Sequence, residues 1–550
     1  MKPSLSLIPL GGIGNVTKNM YVYAFENQYL LVDCGMGFPD PTMLGVDLLI
    51  PDVSYLLDKK EAIVGLILTH AHDDHIAGLP YILPQLGTNF PIYGSKLTIG
   101  FAADRLHEFG IPARFQELPD GPLTLGPFTI NPIRVTHSVP DARHLAITTP
   151  AGIIYHGTDF KFDLNPVDGV LPDLQKMAAI GSQGVLALLS DCLNAESNDF
   201  SQSESTLKEM FLREMRGVKG KCVVTIMSSN IHRISQAVEA ALAYNRKVAF
   251  VGRSIEQNVA TATKLGFLKL PQPHLINKRD IKNVHPKHLC VLIAGSQGQI
   301  GSSLSRAAEG EHQLVTITPD DKVIFASEAI PGNEQNVYST IDTLSKTGAD
   351  VTYSDIDASV HVSGHSSSIE QKLLINLIKP RHLIPIGGTY HHMIQYRKNA
   401  RSMGYRDDHI HLLDNGQILK FDQDRAWVDA TLDLKNVMVD GLGVGDVGHI
   451  VLRDRARMKT DGIVVIIVPV EQQSGQVRGD IEVISRGFVY MKESQDIVTA
   501  IKTEATACLK HRGVVTDWQN IRKKIENSVQ KKLYDLTERQ PLILPVVMEV

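Results

Sequence analysis

Residues 69 to 75 read THAHDDH, which places three histidines and two aspartates within seven positions. The apolar run IVGLIL precedes this segment as a strand, and the run IAGLPYIL follows it as a helix. His70 and His72 lie two apart on an extended backbone, so their side chains point the same way and can share one ion. Asp74 and His75 follow where the chain turns, and they can face a second ion beside the first.

Two further strand ends supply groups that can complete the two ligand sets. His137 ends the run RVTH, and Asp159 ends the run YHGTD, where its carboxylate can bridge two cations. Histidine nitrogen and carboxylate oxygen, without thiolate, favour zinc or manganese over calcium or magnesium. Two cations about 4 Å apart can activate water and hold the oxygens of a phosphodiester. The sequence therefore predicts a two-metal hydrolytic site, although a lone histidine after a strand is more often a surface or core residue.

Length and composition limit the class of protein. The chain has 550 residues, enough for two to four domains, and a formal net charge of −5. That charge excludes attraction of the whole molecule to a polyanion, so nucleic acid would need a local basic groove. Five scattered cysteines without a CxxC pair argue against disulfides. Neither a signal peptide nor a membrane span is recognisable, and we expect a cytoplasmic protein.

The pattern of predicted strands and helices changes along the chain. Short strands dominate at first, then strands alternate with helices in a pattern typical of a parallel sheet, and then the first style returns with VHVSGH as a strand. A glycine-rich stretch leads to a last region that begins with the predicted strands HIVLRD, GIVVIIVPV and IEVISRG. That region ends with a helix from Trp518 and the strand LILPVVMEV.

Several segments resemble a known family. HAHDDH matches the HxHxDH signature of the metallo-β-lactamase fold, with Asp33 in LLVDCG as its preceding aspartate. LLSDCLNAE, MSSNIHR, GSQGQIGSSLSR, IPGNE and HVSGHSS resemble, in order and spacing, segments of ribonuclease J, a β-CASP nuclease. The likeness continues through VDGLGVGDVG, ISRGFVYMKES and LILPVVMEV, and so spans essentially the whole chain.

The resemblance implies an α/β fold, a metallo-β-lactamase αββα sandwich with an inserted β-CASP α/β domain and a small α+β C-terminal domain. The expected domains are 1–197 (metallo-β-lactamase, first part), 198–354 (β-CASP), 355–432 (metallo-β-lactamase, second part), 433–447 (linker) and 448–550 (C-terminal assembly domain).

The resemblance also implies roles for single residues. One metal would be held by His70, His72 and His137 and the other by Asp74 and His75, with Asp159 between them. Asp191 matches the first β-CASP motif, and His365 matches the second, close to the scissile phosphate. The residues expected to grip the RNA 5′-phosphate are Ser229, Asn230, His361, Val362, Ser363, Gly364 and His365. Small hydroxyl and amide donors with a glycine backbone suit a phosphate cradle.

A structural calcium ion is the third expectation that the resemblance supplies. Gly45 and Asp47 in LGVDLLIPD, with Asp440 in MVDGLG, occupy the matching positions. An aspartate before a turn ordinarily serves as a local cap, which is the competing interpretation.

The activity implied by the resemblance is metal-dependent hydrolysis of RNA. We expect a 5′-to-3′ exonuclease with endonuclease activity that leaves 5′-phosphates and acts in rRNA processing and mRNA decay. It would use two divalent ions, zinc or manganese, and take single-stranded RNA with a 5′-monophosphate. Its assembly would be a homodimer or homotetramer, or a hetero-assembly with a paralogue, without a membrane partner.

One departure from the family pattern opens alternatives. The third β-CASP motif normally reads PVHGEY, but this chain reads IPIGGTYHH, with Gly387 standing 22 residues after His365 in place of the histidine. Either His391 or His392 substitutes for it, or the second metal is weakly held; we favour the weakened site. The second hypothesis is therefore a weakly active or inactive RNA-binding paralogue that assembles with an active subunit. A small-molecule hydrolase such as a lactamase is disfavoured by the β-CASP segments.

Overall fold

The computed structural model describes residues 4–422, 425–441, 443–471, 478–489, 495–509 and 518–549. The chain forms two compact units, residues 1–38 with 49–437 and residues 39–48 with 438–550. Each unit has its own hydrophobic core. The second unit resumes within the predicted linker 433–447, and the predicted domain boundaries themselves stay predictions.

Short strands dominate the first 197 residues, as the sequence pattern predicts. The strands are β1 Leu5–Gly11, β2 Met20–Phe25, β3 Gln28–Val32, β4 Leu48–Ile50, β5 Ile63–Leu68, β6 Pro91–Gly94, β7 Arg114–Glu117, β8 Leu123–Leu125, β9 Phe128–Arg134, β10 Arg143–Thr149, β11 Gly152–His156 and β12 Val185–Asp191. The α-helices are α1 Asp73–Ile76, α2 Leu79–Leu86, α3 Lys96–Glu108 and α4 Leu174–Gly181.

Strands then alternate with helices over residues 198–354. The strands are β13 Cys222–Thr225, β14 Lys247–Val251, β15 Leu289–Ile293, β16 Lys322–Phe325 and β17 Asp350–Thr352. The helices are α5 Leu207–Met215, α6 Ile231–Ala243, α7 Arg253–Leu265, α8 Ser303–Ala308 and α9 Glu334–Lys346.

The remaining elements are a mixture of strands and helices, and the last of them belong to the second unit. They are α10 Ser368–Ile378, β18 His382–Ile386, α11 Tyr390–Ser402, β19 Gln417–Phe421, β20 Ala426–Thr431, β21 Val437–Asp440, β22 Gly443–Val444, α12 His449–Asp461, β23 Ile463–Val470, β24 Glu482–Arg486, α13 Gln495–Leu509, α14 Trp518–Thr537 and β25 Leu542–Glu549. The 3₁₀-helices are Ser54–Leu56, Lys60–Ala62, Glu204–Thr206, Gln272–His274, Lys278–Asn283, Pro286–His288, Ala358–Val360 and Asp407–His409.

Two sheets share the main core of the first unit. One has eight strands in the order β20-β19-β1-β2-β3-β5-β6-β7, and the other has six in the order β18-β12-β11-β10-β9-β8. Buried side chains of both sheets, such as Tyr23 and Leu188, belong to one apolar cluster. A separate five-stranded parallel sheet, β14-β15-β13-β16-β17, has its own apolar cluster. The predicted sandwich and the parallel sheet after residue 198 are therefore both present.

Strand β12 shows why polar groups gather at one edge of the sandwich. All seven of its residues, VLALLSD, are buried, and it pairs in parallel with β11 and β18. A parallel strand covered on both faces needs such a continuous apolar run. Its carboxyl end, Asp191, consequently lies at the same edge as the ends of its two neighbours.

Two sequence predictions of strands were wrong. HIVLRD forms the start of α12, and VHVSGH forms the end of a 3₁₀-helix followed by a loop. The predicted helix from Trp518 is confirmed, and its stripe Ile521, Ile525, Val529 and Leu533 is buried. Parts of the segments that carry the family resemblance, residues 442, 490–494 and 550, lie outside the described residues.

Across the part of the chain that the structure describes, no helix has both the length and the apolar character needed to cross a bilayer.

The stripe of α14 predicts a difference between two leucines of the same helix. Leu533 is fully buried, whereas Leu536 is 51% exposed. We expect Leu533→Ala to lower the free energy of unfolding of the second unit by about 2–5 kcal/mol, because it leaves a cavity. The control Leu536→Ala should change it by less than about 0.5 kcal/mol. Urea denaturation of the full chain followed by circular dichroism measures both, and equal losses would contradict the packing described for α14.

Candidate functional site

The segment THAHDDH leaves the end of β5 and turns directly into α1. Asp33, which follows β3 in a left-handed conformation with φ of 61°, holds this turn. Its Oδ1 accepts a hydrogen bond of 2.8 Å from the backbone N–H of Thr69, and its Oδ2 accepts one of 2.7 Å from His75 Nδ1. Because Nδ1 of His75 is engaged, its Nε2 is left for a ligand.

The first ligand set consists of three imidazoles around one carboxylate. His70, His72, His137 and Asp159 each place one ligand atom within 4.8 Å of the others. Nδ1 of His72 lies 3.2 Å from His70 Nε2 and 3.0 Å from His137 Nε2. Oδ2 of Asp159 lies 3.7 Å from His70 Nε2. The structure therefore brings together the four residues that were predicted for the first metal.

Hydrogen bonds behind the imidazoles orient them. His137 Nδ1 donates to the carbonyl oxygen of Gly364 over 2.7 Å, and His70 Nδ1 lies 3.1 Å from the hydroxyl of Thr69. Burial and neighbouring histidines lower the pKa of His70 and of His137 well below the usual value. Burial lowers the pKa of His72 to about 3. All three imidazoles are thus neutral near pH 7, which is the form that binds metal.

The second ligand set is smaller. Asp74, His75 and Asp159 each offer one atom within 4.8 Å of the others, so Asp159 belongs to both sets. His75 Nε2 lies 3.5 Å from Asp74 Oδ2 and 3.3 Å from Asp159 Oδ2. Burial raises the pKa of Asp74 to about 6. Nitrogen and carboxylate donors in two sets sharing one carboxylate fit a pair of divalent ions.

Asn19 is a neighbour of the second set that the sequence prediction missed. Its amide nitrogen lies 3.4 Å from Asp74 Oδ2 and 3.1 Å from His75 Nε2, while its amide oxygen accepts a hydrogen bond from the Tyr21 hydroxyl. The amide therefore points N–H at two predicted ligands. Only the position of Asn19 between β1 and β2 brings it here, and no local motif signals that.

Position 387 faces the shared carboxylate. A Cβ built on Gly387 would lie 3.5 Å from Asp159 Oδ1 and 3.7 Å from Asp191 Oδ1, at ordinary contact distance. Glycine supplies no donor there. His391 and His392 gather instead with Glu196 in a separate group and belong to neither ligand set of Asp159. In this conformation neither histidine takes the place of the missing donor at position 387.

Asp191 and His365 form a third group with Asp159. His365 Nδ1 lies 2.8 Å from Asp191 Oδ2, and the His365 ring lies 5.1 Å from the His137 ring, centroid to centroid. Burial opposes protonation of His365, but Asp191 and Asp159 outweigh it and raise its pKa to about 9. A protonated imidazole therefore stands beside the predicted metal ligands near pH 7.

The residues predicted for the phosphate pocket do not all line the same cavity. His361, Val362 and Ser363 line a cavity of about 200 Å³, to which Asn194 and Ser201 also contribute. Ser363 Oγ accepts hydrogen bonds from Asn194 Nδ2 over 2.8 Å and from the backbone N–H of His365 over 3.0 Å. The residues that line this cavity do not include Ser229 or Asn230.

Asn230 instead has structural contacts. Its Oδ1 caps α6 by accepting from the N–H of Arg233 over 3.2 Å, and its Nδ2 donates to Glu204. Gly364 is positioned by its carbonyl, and a Cβ there would lie 2.8 Å from Ser138 Cβ, too close for another residue without movement. This close approach is a physical reason for glycine in HVSGH.

At the predicted calcium position, an arginine side chain is already present. Arg455 Nη2 donates to Asp440 Oδ2 over 2.5 Å, and its Nη1 donates to the carbonyl oxygen of Leu44 over 2.9 Å. A Cβ on Gly45 would lie 2.7 Å from Nη1 of Arg455, and Asp47 Oδ2 accepts from the N–H of Gly441. The calcium site stays a prediction, and Arg455 is the cation that calcium would have to displace.

Comparison with known proteins adds four family models. Residues 219–344 match the model described as ribonuclease J, β-CASP domain, and residues 450–550 match the ribonuclease J C-terminal domain. Residues 13–150 match the metallo-β-lactamase superfamily, and residues 354–412 match the Zn-dependent metallo-hydrolase RNA specificity domain.

Curated relatives match over their full length. Ribonuclease J 1 of Streptococcus pyogenes is 36% identical over 100% of this chain and 98% of that protein. Ribonuclease J2 of Bacillus subtilis is 34% identical over 100% of this chain and 99% of that protein. The chain belongs to the ribonuclease J family. A solved structure of a protein of unknown function from Enterococcus faecalis, at 14% identity, covers 76% of this chain and 100% of its own with a TM-score of 0.54, and shows a shared fold.

Membership in the ribonuclease J family confirms the resemblance read from the sequence. It also confirms the fold class, a metallo-β-lactamase domain with an inserted β-CASP domain and a ribonuclease J C-terminal domain. A metallo-β-lactamase fold implies divalent metal binding, and the two ligand sets around Asp159 provide donors for it.

The raised pKa of His365 predicts a pH-dependent contribution to stability in the metal-free protein. Its pKa is about 9 in the fold, against about 6.5 in an unfolded chain. The stabilisation is thus complete below about pH 6.5 and is lost as the pH rises through about 9. We expect His365→Asn to lower the free energy of unfolding by up to about 3 kcal/mol at about pH 6 and by little at about pH 10.

Urea denaturation in the presence of a chelator measures the effect of His365→Asn at both pH values. The matched control is His274→Asn, since His274 is exposed. Equal losses at the two pH values would rule out the ion pair of His365 with Asp191.

Proposed function

We propose that this ribonuclease J family member hydrolyses single-stranded RNA with two divalent metal ions, zinc or manganese. It removes nucleotides in the 5′-to-3′ direction from a 5′-monophosphate end, also cuts internally, and leaves 5′-phosphates. The observation that carries the proposal is the convergence of two ligand sets on the buried carboxylate of Asp159.

Six residues would hold the two metal ions. His70, His72 and His137 would hold one ion, and Asp74 and His75 the other, with Asp159 shared. Bound divalent ions would supply activation of water at neutral pH and stabilisation of charge on the phosphate. The chain's own part is to present the neutral imidazoles of His70, His72 and His137 in a buried pocket. The pKa of His75 is raised well above the usual value by the carboxylates around it, so His75 would give up its Nε2 proton to bind an ion.

His365 supplies a proton beside this pocket. Asp191 holds the His365 ring through Nδ1, and the resulting imidazolium carries a proton on Nε2 near pH 7. Such a group can stabilise charge on the scissile phosphate or protonate the leaving oxygen. Asp191 is then a positioning residue that also keeps the ring charged.

The loop 361–365 would receive the 5′-phosphate. It borders a cavity on one side and, through the Gly364 carbonyl, orients His137 on the other. The Ser363 hydroxyl lines the cavity and is held by Asn194, whose amide N–H groups donate to Ser363 Oγ and to the His365 carbonyl oxygen. A neutral hydroxyl donor suits a phosphate. Ser229 and Asn230 remain proposed contributors, although Asn230 serves the fold as the cap of α6.

A second candidate function is a weakly active or inactive RNA-binding subunit that assembles with an active paralogue. Gly387 favours it, because glycine supplies no donor at the position that faces Asp159.

The last strand supports assembly with another chain. Leu544, Val546 and Met548 of β25 are between 37% and 49% exposed. Among the described residues β25 is an edge strand of its sheet, and these alternating side chains give it an apolar face beside an edge that can pair with another chain. We propose a homodimer or homotetramer, or a hetero-assembly, through this domain.

The cysteines support a cytoplasmic location. All five are free, and Cys222 and Cys290 remain unpaired although they are neighbours across β13 and β15. A reducing compartment keeps such thiols free.

The adjacent aspartates of α1 give a matched test of the nuclease activity. We expect Asp74→Ala to slow degradation of a 5′-monophosphorylated oligonucleotide by about 100-fold or more, because a ligand of the reactive centre is lost. Asp73→Ala is the control, since Asp73 is exposed and pairs with Arg105. The assay follows a 3′-labelled RNA with added zinc or manganese, and a 5′-hydroxyl RNA tests end recognition. Cleavage by Asp74→Ala at the rate of Asp73→Ala would refute a two-metal centre.

Position 387 separates the two candidate functions. Any side chain at φ of +65° costs about 1–2 kcal/mol of folding, so Gly387→Ala and Gly387→His share that loss. Only the histidine brings a donor toward Asp159. We expect Gly387→His to bind the second ion more tightly and to degrade RNA about tenfold faster than Gly387→Ala, an effect of about 1.4 kcal/mol. Equal metal content and rates in the two variants would refute the missing-donor explanation.

A further inference from the structure

Two histidines and a glutamate form a cluster outside the site described above. Helix α11 begins after Thr389 with His391 and His392 in its first turn, and Glu196 lies in the loop after β12. One ligand atom from each of the three side chains lies within 4.8 Å of the others. The two imidazole rings are 3.9 Å apart, centroid to centroid. None of the three residues belongs to the ligand sets around Asp159.

Buried contacts hold the two segments of the cluster together. Asn399 of α11 donates through Nδ2 to the carbonyl oxygen of Ala195, the residue before Glu196, over 2.8 Å. At the start of the helix, a Cβ on Gly388 would lie 2.6 Å from Cys192 Sγ, so glycine permits the close approach. The backbone on both sides of the cluster is therefore fixed before any ion arrives.

The hydroxyl of Thr389 orients both rings. Its Oγ1 lies 2.9 Å from Nδ1 of His391 and 3.0 Å from Nδ1 of His392. One lone pair of Oγ1 accepts from the backbone N–H of His392, and the other can accept from His391 Nδ1–H, which leaves Nε2 of His391 as a ligand. His392 Nδ1 accepts from the backbone N–H of Thr389 over 3.2 Å, so its ring proton lies on Nε2. Binding an ion through Nε2 would move that proton to Nδ1 and give up this capping bond.

We propose that Glu196, His391 and His392 bind one Zn²⁺ in a site separate from the catalytic centre. Two imidazole nitrogens and one carboxylate oxygen form a set that zinc accepts, with the fourth position left to water. The ion would tie the first turn of α11 to the loop that follows Asp191. The turn at Gly387 lacks a metal donor. It would then be held by an ion bound to His391 and His392, four and five residues later in the chain.

Metal content of the full-length chain tests the proposal. Protein stripped with a chelator, reloaded with Zn²⁺ and passed over a desalting column is analysed for zinc by mass spectrometry. We expect Glu196→Gln and His391→Ala each to bind about one ion fewer per chain than the unmodified protein. His274→Ala is the matched control, an exposed histidine outside every cluster of potential ligands found among the described residues. Zinc content unchanged in both variants would overturn the proposal.

Cobalt and stability give two readouts that do not depend on RNA cleavage. Visible absorption of bound Co²⁺ should lose the component of this site in Glu196→Gln, and zinc should raise the thermal midpoint less in that variant than in the control. Repeating the comparison in an Asp74→Ala background separates the sites. A loss of one ion there supports the proposal even if the nuclease function fails, whereas no further loss contradicts it.

Discussion

The candidate site depends on the contacts between the carboxylate of Asp159 and the histidines around it. This carboxylate is buried, and its Oδ2 lies within 3.3–3.9 Å of imidazole nitrogens from His70, His75 and His137. Burial alone would raise its pKa, but His75 and His365 more than offset this and hold the pKa well below the usual range. A buried charge is tolerated only when partners surround it. The strand ends that deliver these histidines therefore satisfy a requirement of the fold and, with the same groups, create a place for cations.

A second buried charge, the guanidinium of Arg233, connects the β-CASP region to the loop 361–365. Arg233 donates to Glu204 over 2.7 and 3.0 Å and to the carbonyl oxygens of Ala326 and Val362 over 2.6 and 2.9 Å. Burial opposes ionisation of Glu204, yet Arg233 lowers its pKa. A guanidinium has the fork geometry to serve carboxylate and carbonyl groups together. The loop that carries His365 is thus anchored from the inserted region, which links that insertion to the chemistry of the sandwich.

The residues that the structure gathers around Asp159 could be predicted from sequence because each is local to a strand end. His70 to His75 share one segment, and the pattern of apolar run followed by ligand recurs at His137 and Asp159. Asn19 could not be predicted, because its contact with Asp74 spans 55 positions and depends on how β1 and β2 pair.

The prediction of HIVLRD as a strand was wrong because six residues are too few to distinguish a strand from a helix. The full segment His449–Asp461 has no glycine or proline, and the helix ends at Gly462, which has a φ of 79°.

Charge is the reason we expect glycine at position 387 to weaken the proposed second site without removing it. A histidine at position 387 would contribute a neutral donor, whereas the attraction for a cation comes from Asp74 and Asp159, which remain. Without a metal ion, Asp74 and Asp159 share His75, whose pKa these carboxylates and Asp33 raise well above the usual value, so that a protonated imidazole balances part of their charge. The amide N–H of Asn19 adds a smaller contribution, since a hydrogen bond carries a fraction of a charge. A divalent ion would replace the His75 proton and bring a larger charge, so we expect the second site to keep an electrostatic preference for metal and to lose the affinity that one more nitrogen would add.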